Sequence, residues 1–317
     1  MEVFTSIEEL GRSTDRRIYL ALGMFDGVHR GHLAVLKKAQ EIANEKEGVA
    51  VAFTFPEHPA SFLRPDQTPR LIMNKEEKAM RLLERGMSGV VLRTFDREFA
   101  SVEARHFLSF LLARIRSLKG LCVGQNFRFG RGRKGDDLCL QEYGDEVGLS
   151  VDVVQSELFS NSPVSSSRIR EALKFGQIEE VNEMLGWIYT ISGEVLPGKG
   201  MGKEFGFPTI NIPWIPQARP AYGVYVGMVH DDSGERNAKY AIANYGLRPT
   251  VEEGATQPLL EVHVLDSIED GFGNVGQKLS MTLQSFLRPE KKFDSLDSLK
   301  SQIKEDLLRA ETMRQKA

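Results

Sequence analysis

The hydrophobic pattern of the chain has one rhythm in its first half and another in its second. Ile18–Leu22 is an apolar run that stops at Gly23, as a strand entering a tight turn does. From His32 to Lys46 the apolar residues fall at 33, 35, 36, 39, 42 and 43, a spacing that predicts a helix. Val49–Phe55 is a second, β-branched run closed by Pro56. Lys75–Arg85 predicts a helix, Gly89–Leu92 a buried strand, and 103–118 an amphipathic helix on which His106 reads as structural. Leu121–Val123 and Val151–Val154 are further short strands. Strands alternating with helices over this length imply a parallel sheet in an α/β domain.

Near Gly186 the period drops to two. Alternating runs at 188–195, 223–229, 239–243, 259–265 and 278–284 are separated by Gly, Pro and Asp-Asp-Ser-Gly turns, and a helix over 295–315 closes the chain. This is the pattern of a small antiparallel barrel. The expected division is therefore into residues 1–186 and 187–317.

Composition narrows the function classes. A net charge of −3 gives no basic excess for nucleic acid, nor for docking on an anionic membrane. No apolar run reaches the roughly 18 residues of a membrane span. Two cysteines, Cys122 and Cys139, and a start without a basic and then apolar leader predict a cytoplasmic protein with reduced thiols, both read as small buried hydrophobes.

Two segments carry candidate chemistry in the first half. In Gly23-Met24-Phe25-Asp26-Gly27-Val28-His29-Arg30-Gly31-His32, glycines permit a tight turn and close backbone approach. The helix that follows aims free N–H groups and its positive end at that turn, and two imidazoles three residues apart can reach one phosphate chain. Taken alone, a helix cap with incidental histidines explains the turn equally well. In Ser165-Ser166-Ser167-Arg168-Ile169-Arg170 the hydroxyls can cap a helix while the guanidinium groups offer bidentate anion contacts.

Together these segments resemble the nucleotidylyltransferase superfamily. Thr54-Phe55-Pro56-Glu57-His58-Pro59 and Val123-Gly124-Gln125-Asn126-Phe127-Arg128-Phe129-Gly130 narrow the resemblance to the adenylyltransferase domain of bacterial bifunctional FAD synthetases. Ser167 stands where that family has Thr, and Pro56-Glu57 inverts its usual acidic-Pro order. The resemblance implies an α/β, Rossmann-like domain in which an FMN phosphate oxygen attacks the α-phosphorus of ATP and expels pyrophosphate. His29 and His32 would stabilise the growing phosphate charge, and Arg168 would hold the leaving group. Gly23, Phe25, Asp26, Gly31, Ser165 and Ser166 would surround the ATP phosphates, with His58 and Asn126 near the nucleotide and flavin.

In the second half, Gly198, Gly200, Gly202 and Lys203 belong to a glycine-alternating loop whose N–H groups could nest phosphates, although a flexible turn explains it as well. Thr209 and Asn211, two apart in a strand, present two oxygens to one side, as Mg²⁺ prefers or as any solvated strand face does. Glu261 and His263 share the face opposite Leu260, Val262 and Val264. The order Pro-Thr-x-Asn, Asn244-Tyr-Gly-Leu-Arg-Pro-Thr250, Leu-Glu-Val-His and Leu287-Arg288-Pro-Glu resembles the riboflavin kinase barrel throughout.

That resemblance implies a six-stranded antiparallel β-barrel with a terminal helix. It gives Mg²⁺ and ATP to Thr209 and Asn211, the base for the riboflavin 5′-hydroxyl to Glu261, and a flavin contact to Arg288. Met201 stands where the family's loop carries Arg, Phe205 replaces Leu, Ile210 replaces Ala, and Phe272 replaces Tyr. ATP, FMN and riboflavin are then the substrates and FAD the product. A monofunctional FMN adenylyltransferase with an impaired kinase-like barrel is the alternative. A non-catalytic flavin carrier would not need His29, His32 and Arg168.

Overall fold

The computed structural model describes residues 2–198, 202, 206–231, 234, 237–249 and 256–315. The chain divides into two compact units, one up to Ser166 and one from Ser167.

The first unit is built on a parallel sheet of β1 (Glu2–Phe4), β2 (Ile18–Leu22), β3 (Val49–Thr54), β4 (Gly89–Leu92), β5 (Leu118–Gly124) and β6 (Ser150–Val154), in the order β1-β4-β3-β2-β5-β6. All five residues of β2 are buried, which is why this strand reads as a continuous apolar run: a parallel sheet is covered on both faces. Its helices are α1 (Ile7–Ser13), α2 (Arg30–Glu45), α3 (Ala60–Leu63), α4 (Lys75–Glu84), α5 (Arg97–Ser101), α6 (Phe107–Arg114) and α7 (Asp137–Val147), and a two-residue hairpin, β7 (Leu158–Phe159) and β8 (Ser162–Pro163), follows β6. Asn74 and Glu77 form a reciprocal capping box at the start of α4.

The helix predicted over 103–118 is shorter. A 3₁₀ turn over Ala104–His106 leads into α6, which stops at Arg114, because Ile115 and Leu118 are drawn into the core and the chain enters β5. β1, an edge strand of which only Phe4 is buried, carries too little pattern to be predicted.

From β2 the chain steps outward through β3 to β4, then returns to the other side of β2 as β5. The strand order thus reverses between β2 and β5, where open α/β sheets leave a crevice at the carboxyl ends of their strands.

The second unit begins within α8 (Ser166–Lys174) and continues with α9 (Ile178–Leu185), β9 (Thr190–Glu194), β10 (Ile210–Pro213), β11 (Gly223–Asp231), β12 (Lys239–Pro249), β13 (Thr256–Val264), β14 (Lys278–Pro289) and α10 (Leu296–Arg314). The six strands form an antiparallel sheet ordered β10-β13-β12-β11-β14-β9, closed toward a barrel by the bridge of Leu196 to Asn211. Ala243 lies opposite both Tyr225 and Val262, all three fully buried, and marks the inner face. The opposite face of β11, β12 and β14 offers Val224, Val226, Ile242 and Leu287, which cluster with Ala310 of α10. Tyr240 ties that helix down through its hydroxyl, which donates to the Ala310 carbonyl at 2.9 Å. Among the described residues no helix is long and apolar enough to cross a membrane.

Candidate functional sites

A cavity of about 230 Å³ opens at the strand-order reversal of the first unit. Gly23 and Phe25 after β2, Gly124, Asn126 and Phe127 at the end of β5, and Val154–Glu157 after β6 line it together with His29, Gly31 and His32. The turn from β2 to α2 is strained. Phe25, Gly27 and Val28 all have positive φ, at 49°, 83° and 37°, and Val28 is β-branched, for which this region is an outlier.

This turn delivers His29 to the N-cap of α2, where its Nδ1 accepts the His32 N–H at 3.3 Å. The neutral ring therefore carries its proton on Nε2. The rings of His29 and His32 stack, 3.6 Å between centroids and 16° between planes, and Phe25 meets His32 edge-on at 5.3 Å. At Gly31 a Cβ would lie 3.3 Å from His29 Cε1, a tight approach to that ring. His32 Nδ1 is buried and has no hydrogen-bond partner among the described residues. Burial first, then the charges of His29 and Lys78, hold His32 well below its ordinary pKa, so at neutral pH it is an uncharged imidazole.

Other expected residues sit differently. Asp26 turns its carboxylate inward, where Oδ1 accepts the Ile72 N–H at 2.9 Å, and only 1% of the residue is exposed. Its backbone carbonyl accepts the hydroxyl of Ser166, the last residue of the first unit, at 2.9 Å. Ser165 immediately precedes α8. His58 accepts the Ala60 N–H at 3.1 Å beside α3 and does not line the cavity. Asn126 adopts φ 69°, a left-handed conformation that Asn tolerates, at the rim. Arg168 is half-buried in the first turn of α8, in the second unit.

The second unit holds a cavity of about 310 Å³ on the outer face of the barrel, lined by strand residues and by Leu299, Ile303 and Leu307 of α10. Strand register orders its polar groups. Asn211 of β10 lies opposite Glu261 of β13, which lies opposite Asn244 of β12; Asn244 lies opposite Val224 of β11, and Val224 opposite Arg288 of β14. Directly paired residues share a face, so these five form one row across five strands. Glu261, Asn244, Val224 and Arg288 line the cavity, as do Thr209 and Gly202.

At one end of the row Asn211 is 6% exposed, and its buried Oδ1 has no hydrogen-bond partner among the described residues. Gly198 is pressed against its amide so closely that a side chain there would collide. At the other end Arg288 is clamped by Asp306 of α10, with Nε 2.9 Å and Nη2 2.7 Å from Oδ2. Asp306 is 3% exposed and also accepts from Gln302.

Ile210 pairs with Val262 on the opposite face of β10 from Asn211, and its side chain packs against Gly273. The strand alternation therefore takes Ile210 to the face opposite that row. Gly200, Met201, Lys203 and Phe205 lie outside the described residues.

Sequence patterns missed Lys78 and Asp306, and gave Asn244 a place in a motif but no role. Lys78 follows Lys75-Glu76-Glu77 and reads as a solvated helix face, although it is 1% exposed. Asp306 on α10 looks equally solvated, and only its ion pair with half-buried Arg288 shows otherwise.

Comparison with known proteins agrees with this two-site arrangement. Residues 11–168 match the family described as FAD synthetase, and residues 185–314 match that described as riboflavin kinase. The bifunctional riboflavin kinase/FMN adenylyltransferase of Escherichia coli (strain K12) is 36% identical over 310 residues, covering 98% of this chain and 97% of that one. The protein of the same description from Haemophilus influenzae is 34% identical, covering 91% of both. A crystal structure described as a macrolide-efflux protein from Streptococcus pneumoniae shares the fold over 98% of each chain, with a TM-score of 0.84 and 27% identity. With both halves matched in order and near full-length identity to such relatives, the chain belongs to the family of bifunctional riboflavin kinase/FMN adenylyltransferases.

Proposed function

We propose that this chain makes FAD from riboflavin in two ATP-dependent steps, phosphorylation in the barrel and adenylyl transfer in the α/β unit. The observation that carries the reading is that each unit has its own cavity, the first lined by Gly23, His29, Gly31 and His32 and the second by Gly202, Thr209, Glu261 and Arg288.

In the barrel, Glu261 takes the proton of the riboflavin 5′-hydroxyl, whose oxygen attacks the γ-phosphorus of ATP and releases ADP. Arg288, already oriented by Asp306, holds the flavin end. The donor set suits Mg²⁺: Thr209 and Asn211 offer neutral oxygens, and the buried Oδ1 of Asn211, unpartnered among the described residues, is the acceptor a hard cation would satisfy. When bound there, the ion would neutralise charge on the nucleotide phosphates. Gly198, Gly200, Gly202 and Lys203 would follow those phosphates.

In the α/β unit, an FMN phosphate oxygen attacks the α-phosphorus of ATP in line and pyrophosphate leaves. No covalent intermediate is needed, so positioning and charge stabilisation do the work. His29, with its proton on Nε2, and neutral His32 act on the phosphates beside Gly23, Phe25 and Gly31. Arg168 holds the pyrophosphate, and Asn126 and His58 serve the nucleotide and flavin neighbourhood. Asp26, Ser165 and Ser166 stand with them around the ATP phosphates, and Asp26 and Ser166 also hold the turn. A cytoplasmic location fits substrates that are cytoplasmic metabolites.

Incubating the protein with riboflavin, ATP and Mg²⁺ and separating the flavins by chromatography should show FMN appearing first and FAD following, with one pyrophosphate per FAD. Correctly folded protein that makes no FAD from supplied FMN would overturn the reading of the first unit. FAD from FMN but no FMN from riboflavin would restore the monofunctional alternative.

A further inference from the structure

Beneath the β2–α2 turn lies a cation for which the reaction as derived has no use. Lys78 of α4 is 1% exposed, and its ammonium donates to the carbonyls of Met24, at 3.3 Å, and Phe55. The Met24 carbonyl also accepts the hydroxyl of buried Thr54 at 2.8 Å. One buried group thus joins the segment after β2 to the segment after β3, immediately before the three positive-φ positions Phe25, Gly27 and Val28. Such a backbone persists only where its surroundings over-determine it. The turn is held by Thr54 and Lys78 at Met24, by Ile72 at the Asp26 side chain, and by Ser166 at the Asp26 carbonyl.

We propose that Lys78 is a positioning residue for adenylyl transfer: its buried ammonium holds residues 24–28 in the shape that stacks His29 on His32 at the mouth of the cavity. The inference rests on the first unit being the adenylyl-transfer site. Burying an ammonium is costly, and a methionine or leucine would fill the space without that cost. The ionisable groups that act with it are Asp26, which favours its charged form, and His32, whose protonation it opposes. Both sit on the turn and the helix it starts, so Lys78 contributes to the geometry of the pair and to the neutrality of His32.

The test uses the full chain with Lys78→Met, which keeps volume and removes every donor, and Lys78→Gln, which keeps a donor without charge. Three quantities are measured: kcat and KM for FAD formation from FMN, the rate of FMN formation from riboflavin by the same preparation, and the NMR titration of the His32 imidazole. In Lys78→Met, kcat should fall roughly a hundredfold, the scale of a misplaced catalytic group, with both KM values within about threefold. Lys78→Gln should recover part of that loss. The kinase rate should stay at the wild-type value, showing an intact chain, and His32 should titrate at higher pH once the neighbouring charge is gone.

A kcat within about twofold of wild type in both variants, or parallel loss of both activities in both, overturns the proposal in favour of a purely structural lysine. If wild type itself makes no FAD, the reading of the first unit fails instead. The His32 titration then decides alone, and no shift in Lys78→Met overturns the proposal.

Discussion

At the residue scale, the two cavities predict separable losses. Glu261→Gln should abolish FMN formation from riboflavin while leaving FAD formation from supplied FMN intact. His32→Ala should do the reverse, lowering FAD formation about a hundredfold if the imidazole acts as one transition-state donor worth about 3 kcal/mol. Chromatographic assay of both variants with each substrate checks the pair, and loss of both activities in either variant would contradict it.

Lys78 adds a prediction for stability. Burial pushes its pKa down from 10.5 to about 8, with Asp26 opposing the shift. Between those values the unfolded chain binds a proton that the folded chain has released, so stability rises with pH across the window. Below pH 8 both states are protonated and the cost of the buried ammonium is fully present. Chemical denaturation should therefore show wild type gaining about 3 kcal/mol on Lys78→Met between pH 8 and 10.5.

At the element scale, the tight turn before α2 was legible because its glycines permit one, and β2 because a doubly covered strand is apolar throughout. The kinase row was not legible. Pro-Thr-x-Asn, Asn244 and Leu-Glu-Val-His lie far apart in the chain, and only strand register shows that Asn211, Glu261 and Asn244 are neighbours. Register is a property of pairing, which one strand's pattern does not contain. The same reasoning places Ile210, which stands where the family has Ala, off that row. Ile210→Ala should leave riboflavin phosphorylation within about threefold of wild type while lowering the thermal midpoint, because it removes packing against Gly273 on the other face. A rise of tenfold or more in FMN formation, roughly 1.4 kcal/mol of barrel catalysis, would show that the residue does obstruct the site.

At the scale of the whole molecule, the pattern change near Gly186 and the compact units disagree over two helices. The units divide after Ser166, and the family matches, 11–168 and 185–314, leave much of the same stretch uncovered. Helix α9 belongs with the barrel: the Asn182 amide donates to the Leu283 carbonyl at 2.9 Å, and its Oδ1 accepts the Tyr189 N–H at 2.8 Å. Ile178, Val181, Met184 and Leu185 are all at most 1% exposed. A fragment of residues 1–186 should retain Arg168 and some FAD formation but lose soluble yield, because that apolar face is uncovered. A fragment of residues 1–166 should be more soluble and far less active. Expression with FAD assays on both fragments checks this, and an inactive 1–186 of good solubility would show that the barrel supports the first site.

The row across the barrel also works as a ruler. Its graduations are strand spacings of about 4.8 Å set by main-chain hydrogen bonds, which places Glu261 one step from Asn211 and three steps, about 14 Å, from Arg288. No side-chain replacement along the row alters that interval. With Glu261 and Arg288 in their proposed roles, mutating members of the row would change how tightly a flavin is held, whereas the span from reacting hydroxyl to ring would be set by the backbone. Selection for a kinase of shorter or longer flavin alcohols would therefore have to move the strands themselves, by a bulge or a register slip, rather than redecorate the pocket.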